Sequence, residues 1–109
     1  MTTRLKKQAP TLCMLCHAKP KMRKAVIEAA DKELIHCLCE CAFNILKGNV
    51  SFTQDQLKQV KRYKQHLRNL VDKKLSLKDK KALLQKGGFL PALLAPLAAS
   101  VIAPLLQHV

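Results

Sequence analysis

A chain of 109 residues with 49% apolar content can form at most one small domain, which buries only about 60–65% of the surface its unfolded form exposes. Twenty Lys and Arg against seven Asp and Glu give a formal net charge of +13, so the protein repels itself unless a polyanion supplies counter-charge. One Tyr, three Phe and no Trp argue against base stacking as a mode of recognition, and five Cys, an odd number, argue against a closed disulfide framework.

Residues 1–12 are polar, basic and without periodicity, which predicts a disordered arm; it extends to residue 17 through a Cys-x-x-Cys pair. No apolar stretch follows the basic Met1–Gln8 segment, so no secretory signal is expected and the thiols should stay reduced, in cytosol or nucleus. Pro20 suits the first turn of a short helix to Ala29 or Ala30, with Met22, Ala25, Val26 and Ala29 along one side. Asp31 caps the next helix, which runs to about Lys47 and stops at Gly48-Asn49. Its Leu34, Leu38, Cys41, Ala42 and Ile45 cluster on one face, making it the core helix. Thr53-Gln54-Asp55-Gln56 is a capping box, and the helix it starts carries Leu57, Val60, Tyr63, Leu67, Leu70 and Val71 on one stripe. Ser76 with Asp79 repeats that signature and opens a short Lys-rich helix ended by Gly87.

No segment alternates as a strand would. The expected fold is all-α: a small bundle of three to four short helices with a disordered basic N-terminal arm (1–17), a basic helical domain (18–86) and a hydrophobic, proline-broken helical C-terminal tail (87–109). That tail holds no ionisable side chain except His108, and Phe89 to Leu106 is an apolar run interrupted by Pro91, Pro96 and Pro104. Each interior proline costs a helix about 3 kcal/mol, so a straight membrane span is disfavoured, although Pro91 fits a first turn. A segment that inserts into a bilayer or docks on a capsid through Phe89, Leu90, Leu93, Leu94, Leu97, Val101, Ile102 and Leu105 is one expectation, and burial in an oligomer is another. Burial against the protein's own body is disfavoured, because so small a body offers one limited groove.

Cys13-Met14-Leu15-Cys16-His17 matches the c-type haem attachment pattern, but attachment normally follows export, for which no signal is present. Zinc is the better metal: Cys13 and Cys16 supply one pair, Cys37 and Cys41, a helical turn apart, the other. Cys39 points away from that set. The plainer alternative is that the thiols are small core residues with no cofactor. Enzyme signals are poor, with scattered histidines and neither a phosphate loop nor a nucleophile elbow, so no catalytic residue is expected.

The stretch from Lys58 to Lys86 holds eleven Lys or Arg against two Asp. Lys58, Lys61, Arg62 and Arg68 share a helix face, and Lys73, Lys74, Lys78, Lys80 and Lys81 continue the basic surface; all nine are candidate phosphate contacts. Binding of this kind is independent of sequence, because lysines that neutralise phosphates release condensed counterions without reading bases.

At the junction, Gln85-Lys86-Gly87-Gly88-Phe89-Leu90-Pro91-Ala92-Leu93-Leu94 followed by Ala95-Pro96-Leu97 closely resembles the end of the adenovirus core protein X (mu precursor) family. From Ala29 to Leu94 the chain is more similar still to small basic proteins of adintoviruses and the related Polinton or Maverick elements, which share the Gly-Asn turn, the Lys-rich stretch and the KGGF-type junction. The resemblance implies a virion core protein, found in the virion and host nucleus, that binds and condenses double-stranded viral DNA. It also implies that a maturation protease recognises Gln85, Gly87 and Gly88 and cuts before Phe89. This chain departs from the mu peptide in favouring Lys over Arg and in having a longer, helically patterned body with cysteines. Those departures favour a folded, protein-binding role, with capsid proteins as partners. Membrane or capsid docking through the tail, and a cellular zinc-binding adaptor, stand as the alternatives.

Overall fold

In a computed structural model that describes residues 3–86 and 88–98, seven helices follow one another: α1 (Thr3–His17), α2 (Pro20–Glu28), α3 (Lys32–Leu46), α4 (Gln54–Arg62), α5 (Lys64–Val71), α6 (Leu77–Leu84) and α7 (Phe89–Leu97). Among the described residues there is no strand, so the all-α expectation holds, with more helices than the three to four expected.

The capping residues do what their chemistry predicts. Asp31 accepts a hydrogen bond from the Leu34 N–H at 2.9 Å, which starts α3. At its other end Gly48 takes a left-handed φ of 76° and the Asn49 N–H donates to the Asn44 carbonyl at 3.0 Å, so the helix stops there. Along α3, Leu34, Leu38, Cys41, Ala42 and Ile45 are buried as their spacing requires, joined by Ile35 and Cys37. This helix is the hub: α1, α5, α6 and α7 all pack on it, while α2 rests on α6 and α4 on α7 and α5.

The Thr53 capping box is complete, with the Gln56 N–H donating to Thr53 Oγ1 at 3.2 Å and the Thr53 N–H to Gln56 Oε1 at 3.0 Å. The helix it opens is shorter than its apolar stripe suggests. Tyr63 leaves the helical region (φ −102°, ψ 17°) and divides α4 from α5. The break redirects the chain: Leu67 and Leu70 enter the core, whereas Leu57, on the stripe but upstream, is 40% exposed. In α2 the buried residue is Ile27, and Met22 and Ala29 are exposed. Ser76 caps α6 by accepting from the Asp79 N–H at 3.2 Å.

Both ends of the chain differ from expectation. The segment expected as a disordered arm is helix α1, with Leu5, Ala9, Leu12 and Leu15 buried against the hub. These residues recur at helical spacing, and their packing outweighs the single backbone hydrogen bond lost at Pro10. The tail residues Phe89, Leu90, Leu93, Leu94 and Leu97 are likewise buried, so no packing boundary falls at residue 87. Pro91 sits in the first turn of α7, where its missing N–H would have no helical partner, and Pro96 is the one costly interior proline. Five large side chains at about 1.5–3 kcal/mol each outweigh that penalty of about 3 kcal/mol. A groove for them exists because α1, α3, α4 and α6 all border α7.

Replacing Leu12 with Ala tests the status of α1. Because Leu12 is fully buried, urea unfolding should show a loss of about 2–5 kcal/mol; a disordered arm would give no change.

Candidate nucleic-acid interface

The nine basic residues separate into three settings. Lys58, Lys61 and Arg62 on α4 and Arg68 on α5 are exposed, as are Lys73 and Lys74 in the turn before α6 and Lys78 on α6. Among the described residues none of these seven forms an ion pair; the pair seen, Arg4 Nε to Glu33 Oε2 at 3.4 Å, lies between α1 and α3. Arg62 rests against the Tyr63 ring, with its guanidinium carbon 5.6 Å from the centroid. Exposed cations free of carboxylate pairing among the described residues form a surface that can track a phosphate backbone without reading bases.

Lys80 and Lys81 differ from the other seven. Lys80 is only 9% exposed: its stem lies on the side of α6 that carries Leu83 and Leu84, and its charge is felt by the Cys39 thiol. It therefore faces a cleft beside α3 rather than the open side of α6. Lys81 is half-buried and donates to the Glu28 carbonyl at 3.3 Å. It lines a cleft of about 520 Å³ with Lys32 and Lys78.

Residues that sequence reasoning left out of the basic surface join it here. Arg4 and His36 join Lys73 and Lys80 in lining one open cleft of about 610 Å³, together with Cys39, Glu40, Phe43 and Val71. Arg4 belongs to the segment expected to be disordered, so only its Leu5, Ala9 and Leu12 spacing could have revealed that it is carried to α3.

The cysteines gather at the α1–α3 contact. Cys41 and Cys37 are hydrogen-bonded, and Cys16, next to Cys13, is close enough to Cys41 to be felt electrostatically. The thiol of Cys41 is pushed well up, first by its hydrogen bond with Cys37 and then by burial; Cys16 is raised by burial and by Cys13. Burial also raises Cys39, against the pull of Lys80 and Arg4. Among the described residues no three His, Cys, Asp or Glu side chains are placed to hold a metal ion, so Cys13, Cys16, Cys37 and Cys41 do not fit a zinc site here.

The junction is built rather than loose. Gln85 ends α6, its N–H donating to the Lys81 and Ala82 carbonyls, and the Phe89 N–H donates to the Lys86 carbonyl at 3.2 Å. Gly88 has φ 79°, and a Cβ there would lie 2.6 Å from Tyr63 Oη. Phe89 is fully buried, its ring 5.7 Å from Tyr63 and 5.3 Å from His66. Phe89, Leu90, Leu93, Leu94 and Leu97, expected to dock on a membrane or capsid, are spent on the protein's own core; Gly87, Val101, Ile102 and Leu105 lie outside the described residues. No helix among the described residues is long and apolar enough to cross a membrane.

Comparison with known protein families, curated proteins and solved structures finds no match to this chain.

The thiols carry a pH signature. Their folded-state values lie above the unfolded ones, so stability is complete below the ordinary thiol range, about 8.5, and declines as pH rises through the folded values. The urea midpoint should fall between about pH 8 and 10, and Cys41→Ala should flatten that decline; an identical slope in the variant would remove Cys41 as its source.

Proposed function

We propose that the protein is a small all-helical virion core protein, without catalytic activity, that binds viral double-stranded DNA non-specifically in the virion and host nucleus. The observation that carries this reading is the set of seven exposed cations on α4, α5, the following turn and α6, none of them paired with a carboxylate among the described residues. A merely solvated helical surface would intersperse both signs; here the excess is +13 over the whole chain. The resemblance of the Gln85–Leu97 junction to the adenovirus core protein X family supports the same reading. Burial of Phe89, Leu90, Leu93, Leu94 and Leu97 weakens the membrane alternative, since these five side chains already fill the groove bordered by α1, α3, α4 and α6.

The proposal includes release of the tail by a maturation protease after Gly88. In the folded chain the residue after the scissile bond is fully buried Phe89, and Gln85 is held as a helix cap. Cutting therefore requires α7 to leave the core first, and it removes a core helix when it happens.

Mobility shift of the full chain on a random duplex tests the binding. With about six phosphates neutralised, affinity should fall about a thousandfold between 50 and 200 mM salt; no binding at 50 mM would end the DNA reading. Processing is tested with an adenovirus-type maturation protease. Leu93→Ala, destabilised by about 3 kcal/mol, opens about a hundredfold more often and should be cut correspondingly faster; equal rates would mean that the junction is cut without opening.

A further inference from the structure

We infer that the cleft bordered by α1, α3, α5 and α6 is a phosphate-binding site with Lys80 as its central cation. The inference rests on the DNA-binding reading and deepens it: the basic surface holds one built site for a backbone phosphodiester, and the surrounding lysines act diffusely.

A lysine can pack its apolar stem against a core while its ammonium stays at the surface for water or an anion. Lys80 does so: its stem lies on the side of α6 that carries Leu83 and Leu84, and the residue lines the cleft beside Cys39. Burial raises the Cys39 thiol even though Lys80 and Arg4 both act to lower it, so the sulfur adds no negative charge to the cleft. Around the same cleft stand Arg4 from α1, Lys73 from the turn after α5, and His36 from α3. Three permanent cations thus face one carboxylate, that of Glu40. The Arg4–Glu33 pair is a half-exposed surface pair at 3.4 Å and competes weakly with a phosphate.

The shape agrees with the charge. A volume of about 610 Å³ accommodates a sugar-phosphate unit. Phe43, 48% exposed, and Val71 give it an apolar wall for the sugar beside the cationic floor. The elements that converge here are far apart in the chain, so the site exists only in the folded protein. An isolated Lys-rich peptide would bind DNA by charge alone and would lack it.

The test uses the full chain, a random 20-base-pair duplex and inorganic phosphate at matched ionic strength. Lys80→Met keeps the length and apolar stem without the charge; Lys78→Met removes an exposed charge from the same helix. Duplex affinity should fall about tenfold or more in Lys80→Met, the loss of a charge-assisted contact inside the cleft, and about threefold in Lys78→Met. Inorganic phosphate should raise the melting temperature of the wild type and slow iodoacetamide labelling of Cys39, followed by peptide mass spectrometry, and both effects should vanish in Lys80→Met. If the wild type binds duplex but Lys80→Met binds as tightly as Lys78→Met, the cleft is not a phosphate site and the DNA reading stands. If duplex fails to bind while phosphate still protects Cys39, the DNA reading falls and the cleft serves a free phosphate or phosphate ester. Should Lys80→Met fail to fold, Cys39 protection in the wild type decides: labelling at the same rate with and without phosphate and duplex overturns the site.

Discussion

Phe89, Leu90, Leu93, Leu94 and Leu97 must be removed from water, and a body this small has one place to put them. The groove bordered by α1, α3, α4 and α6 exists only if all four helices are in position, so α7 acts as the common inner surface on which they close. That requirement explains features that look unrelated. Tyr63 interrupts the α4–α5 stripe where its ring meets Phe89, and Gly88 adopts a left-handed conformation where the chain must turn from the end of α6 into the core. A helical body expected to stand alone beside an oily tail is instead organised around that tail.

The same arrangement explains how a chain of charge +13 folds at all. Its exposed cations lie on the outer faces of short helices, where solvent and salt screen them, and the apolar residues of α1, α5, α6 and α7 converge on α3. Among the described residues Lys80 is the charged residue packed most deeply, and it lines a cleft open to solvent. Stability is therefore set by how well a thin core resists self-repulsion, and a bound polyanion relieves that load directly.

Much of the middle of the chain was legible because local chemistry and tertiary packing agree there. Asp31, Thr53 and Ser76 each cap the helix their neighbours predict, Gly48 ends α3, and the buried face of α3 follows its apolar spacing. Legibility failed where packing overrode local signals. Basic residues and Pro10 hid the helical recurrence of Leu5, Ala9 and Leu12, so α1 could not be seen without its partner α3. The break at Tyr63 leaves no proline or glycine to mark it. Of the candidate contacts, the exposed positions on α4 and α5 follow from helix geometry, whereas the inward side of α6, and with it the place of Lys80, depends on which neighbour α6 meets.

Gly88 carries one consequence beyond its turn. Its positive φ and its approach to Tyr63 Oη demand glycine for folding, and the proposed cut after it demands glycine for recognition by the protease. Two unrelated constraints then fall on one atom-sized vacancy, the missing Cβ. A substitution that blocked processing at this position would also strain the turn into α7, so an uncut form reached by changing Gly88 is a destabilised one. Assembly and maturation, if they proceed as proposed, share a single point of failure.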